Sequence, residues 1–533
     1  MGLRLGILLD SWYVRSWQAA IIRYVISHVD CEVVFVVLNN RARVSHTRRS
    51  KILYSLGRKL DRKLFRVKFD CFQSVNVEPL LSGTNTFVVD PITRRFTDAF
   101  PDADLLKIQS TAPDIIIRFG FRILTGEVLR VARYGVWSLH HGDTAINRGG
   151  PPGFWEVVQG DEVSGVTLQV LSDELDGGHV IDKAFSRTNR TSFNRNQNDL
   201  FWSGVELFCS SIDRQSRDSE FYLNTRWNQQ FYSGPLYRDP SNLQSLKIFA
   251  DFWLRRITEF VSGRSKRWNI YLMFGKSPGK ALYKFKALRK PANFDWADPF
   301  VVQKGLHYFL FFEELKIGTT KGHISMLKFD LQGEMLSEGP LRVLDEPYHL
   351  SYPFVFEYRE WYYMTPECGN DHRVWLYRAI EFPMSWKRIR LLIDKELYDP
   401  TLIQHESVWY MFATEKPFEG NSPDQYLVIY FTDDLLNGEW TRHPRSPSVR
   451  DARVARPAGR IFWEDGRMLR PAQVGAPNYG YGVVFMQITL LTKFDYREVY
   501  FDTILPKWRA GIRGVHTFNQ AGGMTVVDAQ VHQ

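Results

Sequence analysis

Over roughly the first 185 residues, apolar runs of strand length alternate with segments of helical period. LRLGILLD (3–10) has the near-continuous apolar character of a strand covered on both faces. Trp17 to Val29 repeats its apolar positions at helical spacing, and CEVVFVVLN (31–39) is a second buried strand. Then come DIIIRFG (114–120), a helix-like ILTGEVLRVARY (123–134) and GVWSLHH (135–141). This alternation predicts α/β winding around a mostly parallel sheet, with ligands bound beyond the carboxyl ends of the strands. His140 falls at such an end.

Residues 186–267 break the pattern: they are rich in Asn, Ser, Arg and aromatics, with one helical stretch from Leu243 to Val261, and read as a partly helical connector. From 268 to 533 the chain turns to short aromatic and β-branched runs separated by Gly, Asp and Pro. ADPFVVQKGLHYFLFFEE (297–314), SYPFVFEYREWYYMTPE (351–367), YDPTLIQHESVWYMFATE (398–415) and ARPAGRIFWEDGRMLRPAQ (455–473) share one plan of polar residue, Pro, strand, turn, strand and closing Glu or Gln. Such spacing suits one four-stranded blade per repeat, with a fifth shared between the chain's end and the strands before Asp298. The expected architecture is therefore an α/β Rossmann-like domain (1–185), a connector (186–267) and an all-β five-bladed propeller (268–533).

A length of 533 residues suits two domains. Much of the formal charge of +9 is local, because Arg41 to Lys68 holds eleven Lys and Arg against Asp61 alone. Within it Ile52, Leu53, Leu56, Leu60 and Leu64 recur at helical spacing, which predicts an amphipathic helix near 48–66 with a basic outer face. It is either a solvated face or a peripheral contact to an anionic membrane or a polyphosphate. The four cysteines are widely separated, so neither a disulfide framework nor a metal site is expected. With no long apolar leader or bilayer-length segment, the sequence reads as cytoplasmic.

The histidine run SLHHGDTAINRGGPP (138–152) is followed by GVTLQVLSDELDGGHVID (165–182). A His and an acid at strand ends of one sheet could meet above it, the carboxylate fixing the imidazole tautomer for proton transfer. The pattern G-x-x-N-x-H-x-S-L-L-P-x-x-R-G-x-x-P, then G-V-T, then L-D-x-G, marks folate-dependent formyltransferases. This chain resembles it in Gly135, in the unbroken interval from His140 to Pro152, in GVT at 165–167 and in ELDGG at 174–178. The resemblance implies formyl transfer from N10-formyltetrahydrofolate to an amine, with catalytic roles for His140, Asp176 and the residue at Ser138. It also implies pterin-flanking roles for Phe119, Gly120, Phe121, Ile123 and Leu124 and for Asp173, Glu174 and Leu175. Ser138 stands where the family has Asn, and Gly142-Asp143-Thr144-Ala145 replaces its usual turn. The small barrel of the tRNA-specific enzymes is not recognisable, so the expected acceptor is an amino sugar or other amine rather than nucleic acid.

The repeats resemble five-bladed glycosidase propellers and the N-terminal domain of glucosamine inositolphosphorylceramide transferases. That likeness implies a central funnel lined by Asp298, Glu367, Asp399, Glu415 and Arg456. The leading expectation is formyl transfer to a nucleotide- or lipid-linked amino sugar of cell-envelope polysaccharide. A glycan-binding protein with a retired formyltransferase domain and a propeller glycosidase with an accessory domain stand beside it.

Overall fold

The computed structural model describes residues 2–41, 51–94, 96–173, 177–224, 232–262, 266–275 and 279–532. The chain forms two compact units, Met1–Val261 with Pro417–Asn421, and Ser262–Lys416 with Ser422–Gln533.

The first unit is built on a seven-stranded sheet in the order 179–187, 163–170, 136–140, 115–118, 3–9, 31–39, 86–89. Leu3–Leu9 pairs in parallel with Cys31–Asn39 on one side and Ile115–Arg118 on the other, so the winding reverses at this central strand. Val163–Val170 and His179–Arg187 run antiparallel at one edge. Side-chain alternation divides the sheet into two faces. Leu5, Ile7, Ile115, Ile117, Trp137, Leu168 and Val170 form one core with Ile21, Ile22, Leu200 and Phe208. Leu8, Ile116 and Val136 face the other way, onto Phe100, Leu105, Ile108 and Val128.

Two expectations need correction. The helix-like stretch 123–134 forms a two-residue strand and one 3-10 turn, Glu127–Leu129, because Gly126 enters it at φ 82° and gives its N–H to Asp173 Oδ1 at 3.1 Å. The connector carries the 25-residue helix Phe193–Arg217, which is integral to the first unit. Its buried face mixes Leu200, Val205, Leu207 and Phe208 with Asn194, Asn196, Asn198 and Ser203, which hides the apolar period from a sequence reading.

In the second unit four sheets follow in chain order, built on strands 294–344, 350–393, 398–450 and 462–504. A fifth joins the two ends of the unit: Lys266–Phe274 pairs antiparallel with Met524–His532, which also pairs with 512–514 and 518–521. This is a five-bladed propeller closed by strands from both ends of the unit. In three blades the inner strand carries a bulge at the residue before Pro, and Asp298, Tyr352 and Asp399 sit there at φ 50°, 47° and 53°. Gly459 does related work in the fourth, at φ 131°, where an added Cβ would lie 2.0 Å from the Phe518 carbonyl oxygen. Gly459→Ala is expected to destabilise the propeller by about 2–3 kcal/mol through backbone strain and overpacking. Calorimetry should show its transition lowered and that of the first unit unchanged.

Candidate active site and propeller funnel

At the carboxyl edge of the first sheet, neighbouring strands place polar side chains on one face. Ser138 and His140 alternate with Trp137 and Leu139, and the antiparallel register sets Ser138 opposite Gln169 and His140 opposite Thr167. Arg118, on the next strand, donates from Nη1 to Ser138 Oγ at 3.3 Å. From Nη2 it donates to the carbonyls of Phe121 (3.1 Å) and Arg122 (2.8 Å), tying the floor of the site to the following loop. Sequence reasoning missed Arg118; an arginine closing a strand otherwise made of isoleucine was the available signal.

His140 Nε2 lies 3.1 Å from the Asn147 carbonyl oxygen. A carbonyl only accepts, so Nε2 carries the proton and Nδ1 is the basic nitrogen of the ring. Next to it, His141 stacks on Phe201 at 3.6 Å and meets Trp17 edge-on at 5.1 Å. Burial, helped by the neighbouring His140, pushes its pKa down to about 3, so it is neutral. The loop's acid, Asp143, caps the turn through the N–H of Ala145 and pairs with Lys183 at 2.6 Å.

The loop 119–124 is held from below. Asp10 Oδ1 accepts the Phe121 N–H at 2.7 Å, and Phe121 stands at φ 65°. The side chains of Phe121 and Leu124 are buried in the core and Phe119 packs edge-on against Trp17. The loop's backbone is held in the same way, the N–H groups of Gly120 and Arg122 going to the Leu8 carbonyl and to Asp98 Oδ2, both at 3.0 Å. Asp173 is engaged by the Gly126 N–H and by Arg130 at 2.5 Å. Glu174, Leu175 and Asp176 lie outside the described residues, so the expected meeting of His140 with Asp176 is neither shown nor refused.

The second unit gathers its charges around the axis. Arg456 reaches Asp399 Oδ2 (2.5 Å), Asp424 Oδ1 (2.9 Å) and Glu367 Oε2 (3.4 Å). Gln473 adds a bond to Asp399 at 2.8 Å. Asp298 accepts from Thr517 Oγ1 (2.8 Å) and the Tyr352 N–H (3.2 Å), and burial pushes it up to about 6. His516 stacks on Trp268 at 3.9 Å and pairs with Asp528 at 2.5 Å. A cavity of about 260 Å³ opens here, lined by Trp268, Asp298, Glu313, Glu367, Arg456 and His516 among others. Burial, and next the charge on a neighbouring aspartate, hold Glu313 and Glu367 well above the carboxylate range.

Four of the five expected funnel residues, Asp298, Glu367, Asp399 and Arg456, thus converge. Glu415 does not join them: it is spent on Lys395 and Arg442, at 2.5 and 2.6 Å, away from the cavity wall. His516 and Asp528 were missed, since nothing in VHTFNQ marks a funnel position until the closing sheet is seen. Asp298, His516 and Asp528 stand close enough to hold a cation, but the direct His516–Asp528 bond already satisfies the pair.

The fold and its two polar centres define a formyltransferase-like α/β unit followed by a five-bladed propeller. The family model for the N-terminal part of glucosamine inositolphosphorylceramide transferase 1 matches residues 282–521. The glucosamine inositolphosphorylceramide transferase 1 of Oryza sativa subsp. japonica is 38% identical over 214 residues, covering 39% of this chain and 28% of its own length. A methionyl-tRNA formyltransferase of Clostridium beijerinckii is 28% identical over 195 residues, covering 36% of this chain and 61% of its own. Among solved structures, Zg3597, a family 117 glycoside hydrolase of Zobellia galactanivorans, has a TM-score of 0.34 at 10% identity, covering 50% of this chain and 90% of that one. The chain spans less than a third of the first of these relatives and under two thirds of the second.

His516 gives the propeller a pH dependence. Burial pulls its pKa down, but the carboxylates of Asp528 and Asp298 outweigh burial and raise it to about 9. A folded value above the ordinary 6.5 stabilises fully below pH 6.5, and that contribution disappears as pH rises through 9. Asp298 has finished titrating by then. Denaturant unfolding of the propeller should lose stability between pH 6.5 and 9.5, with Glu313 and Glu367, held well above the carboxylate range, adding to the loss, and His516→Gln should lessen the slope without abolishing it.

Proposed function

We propose that the first unit transfers a formyl group from N10-formyltetrahydrofolate to the amine of an amino sugar, nucleotide- or lipid-linked, during assembly of cell-envelope polysaccharide. The observation that carries this reading is the polar floor of Arg118, Ser138, Gln169 and His140 at the sheet's carboxyl edge, in a segment that keeps the formyltransferase spacing from His140 to Pro152. The residues fit the cofactor. Gln169 Oε1 is buried with no hydrogen-bond partner among the described residues, an acceptor that a bound donor could meet. Ser138 sits opposite it across the strand pair and accepts from Arg118 on its other side.

When bound, the folate supplies an activated formyl carbonyl. Ser138 is shorter than the family's Asn and has one O–H, and the guanidinium of Arg118 orients that hydroxyl by donating to its Oγ. One good donor to an oxygen that gains negative charge contributes about 2.7–4 kcal/mol. The His140 imidazole, oriented by Asn147, would take the proton that the amine gives up and pass it to the folate nitrogen from which the formyl carbon is cleaved. Stacked neutral beside it, His141 adds no competing charge. The funnel of the second unit holds the glycan part of the acceptor in this reading, supported by its cavity and the stacked Trp268–His516 wall. Among the described residues no helix is long and apolar enough to cross a membrane, and a compartment in the cytoplasm remains part of the proposal.

Ser138 favours one rival, a retired transferase domain in a glycan-binding protein. The test is formyl transfer from the folate to a panel of amino sugars. The native chain is expected to be active, His140→Ala to lose about 10²–10⁴-fold and Arg118→Gln about 10²-fold with folding intact, and Ser138→Asn to change the rate by less than about tenfold. A native chain inert towards every amino sugar, with activity appearing only in Ser138→Asn, would establish the rival.

A further inference from the structure

The basic segment that the sequence singled out behaves unlike its pattern. Ile52–Leu64 is a helix, but its leucines point away from the protein: Ile52, Leu53, Leu56, Leu60 and Leu64 are 37–61% exposed. At 100° per residue these five positions fall within a stripe of about 120°. The inward side carries Tyr54, edge-on to Phe154, beside polar groups. Asp61 is buried, accepts from the Asn194 N–H (2.6 Å) and Ser192 Oγ (3.2 Å), and so caps the helix Phe193–Arg217, while Arg58 bonds Gln197. The leucines are left over once the inward side has made those bonds.

A second helix repeats the arrangement. Asn242–Ser262 packs its Phe249 over Gly57 and stacks Trp253 on Phe65 at 6.2 Å. Its outer face carries Leu243, Leu246, Leu254 and Ile257, 58–79% exposed, with Ala250 between them, in a stripe of about 80°. Nine large aliphatic side chains on two packed helices are thus turned to solvent. Around them the exposed cations are Lys59, Arg62, Lys63, Arg66, Lys68, Lys247 and Arg255, and among the described side chains of these helices the one exposed acid is Asp251.

We infer that this two-helix face lies flat on an anionic lipid surface, its leucines entering the acyl boundary and its lysines and arginines meeting the headgroups. An aliphatic stripe bordered by cations is the composition of helices that rest in a membrane interface without crossing it. Each cation near an anionic surface adds attraction that salt weakens. A protein partner or a second copy would want a polar rim of both signs, and seven cations to one acid repel a like surface. This inference does not rest on formyl transfer.

Full-length protein is sedimented with vesicles of phosphatidylcholine alone and of phosphatidylcholine with phosphatidylglycerol. The expected result is at least about tenfold stronger partition onto the anionic vesicles, weakened by salt. Leu56→Glu with Leu246→Glu, both on exposed positions, is expected to abolish partition with the circular dichroism unchanged, and Lys59→Glu with Lys63→Glu to weaken it about tenfold. Three results would overturn the inference: no partition onto either vesicle, partition that survives the leucine substitutions, or a dimer in sedimentation equilibrium that those substitutions split.

Discussion

Backbone groups from two separate loops of the first unit end on the side chains of one helix, and the site exists because they do. Asn198 accepts the Cys71 N–H at 2.8 Å, Trp202 donates to the Phe69 carbonyl at 2.9 Å, and Gln197 and Asn196 hold the carbonyls of Pro152 and Gly153 at 2.7 and 2.8 Å. Buried amides that go unpaired cost about 1–3 kcal/mol each, so these loops have one arrangement in which the helix is content. The histidine loop runs from His140 to Pro152 and is fixed at both of its ends: by the sheet at the first, and by this helix at the second. Phe201 of the same helix covers His141.

In the propeller the governing constraint is charge. Arg456 has three carboxylates in reach, and His516 has Asp528 and Asp298. Removing one partner from such a buried set costs about 3–5 kcal/mol because the others are left uncompensated. The inner strands converge where these charges must meet, and Asp298 and Asp399, each the residue before a Pro, bend out of their strands there. Closure of the fifth sheet by Lys266–Phe274 and Met524–His532 brings Asp528 and His516 to the axis. Without that pairing the charged ring would be open on one side.

The strands of both units were legible because their patterns are clean: IIIR and VWSLH are buried runs, and the Asp-Pro and Tyr-Pro starts repeat blade by blade. His140 could be found from spacing alone. Arg118 could not, since its role depends on two parallel strands lying side by side, and that is a fact of tertiary pairing. Helix Phe193–Arg217 was illegible for a different reason. Asn and Ser inside a helix normally signal turns, and only the loops they satisfy explain them. The leucines of Ile52–Leu64 misled in the opposite sense, because amphipathicity does not say which side faces the protein when the other side can bury an acid at a helix start.

The central claim is that the carboxyl edge of the first sheet is a folate site. Equilibrium titration of the full chain with an N10-formylfolate analogue, followed by tryptophan fluorescence, tests it most directly. The account predicts saturable binding at one site per chain that weakens markedly in Gln169→Leu, since the substitution removes the buried acceptor that the bound folate would meet. Absence of binding to the native chain, or binding indifferent to Gln169, would contradict it.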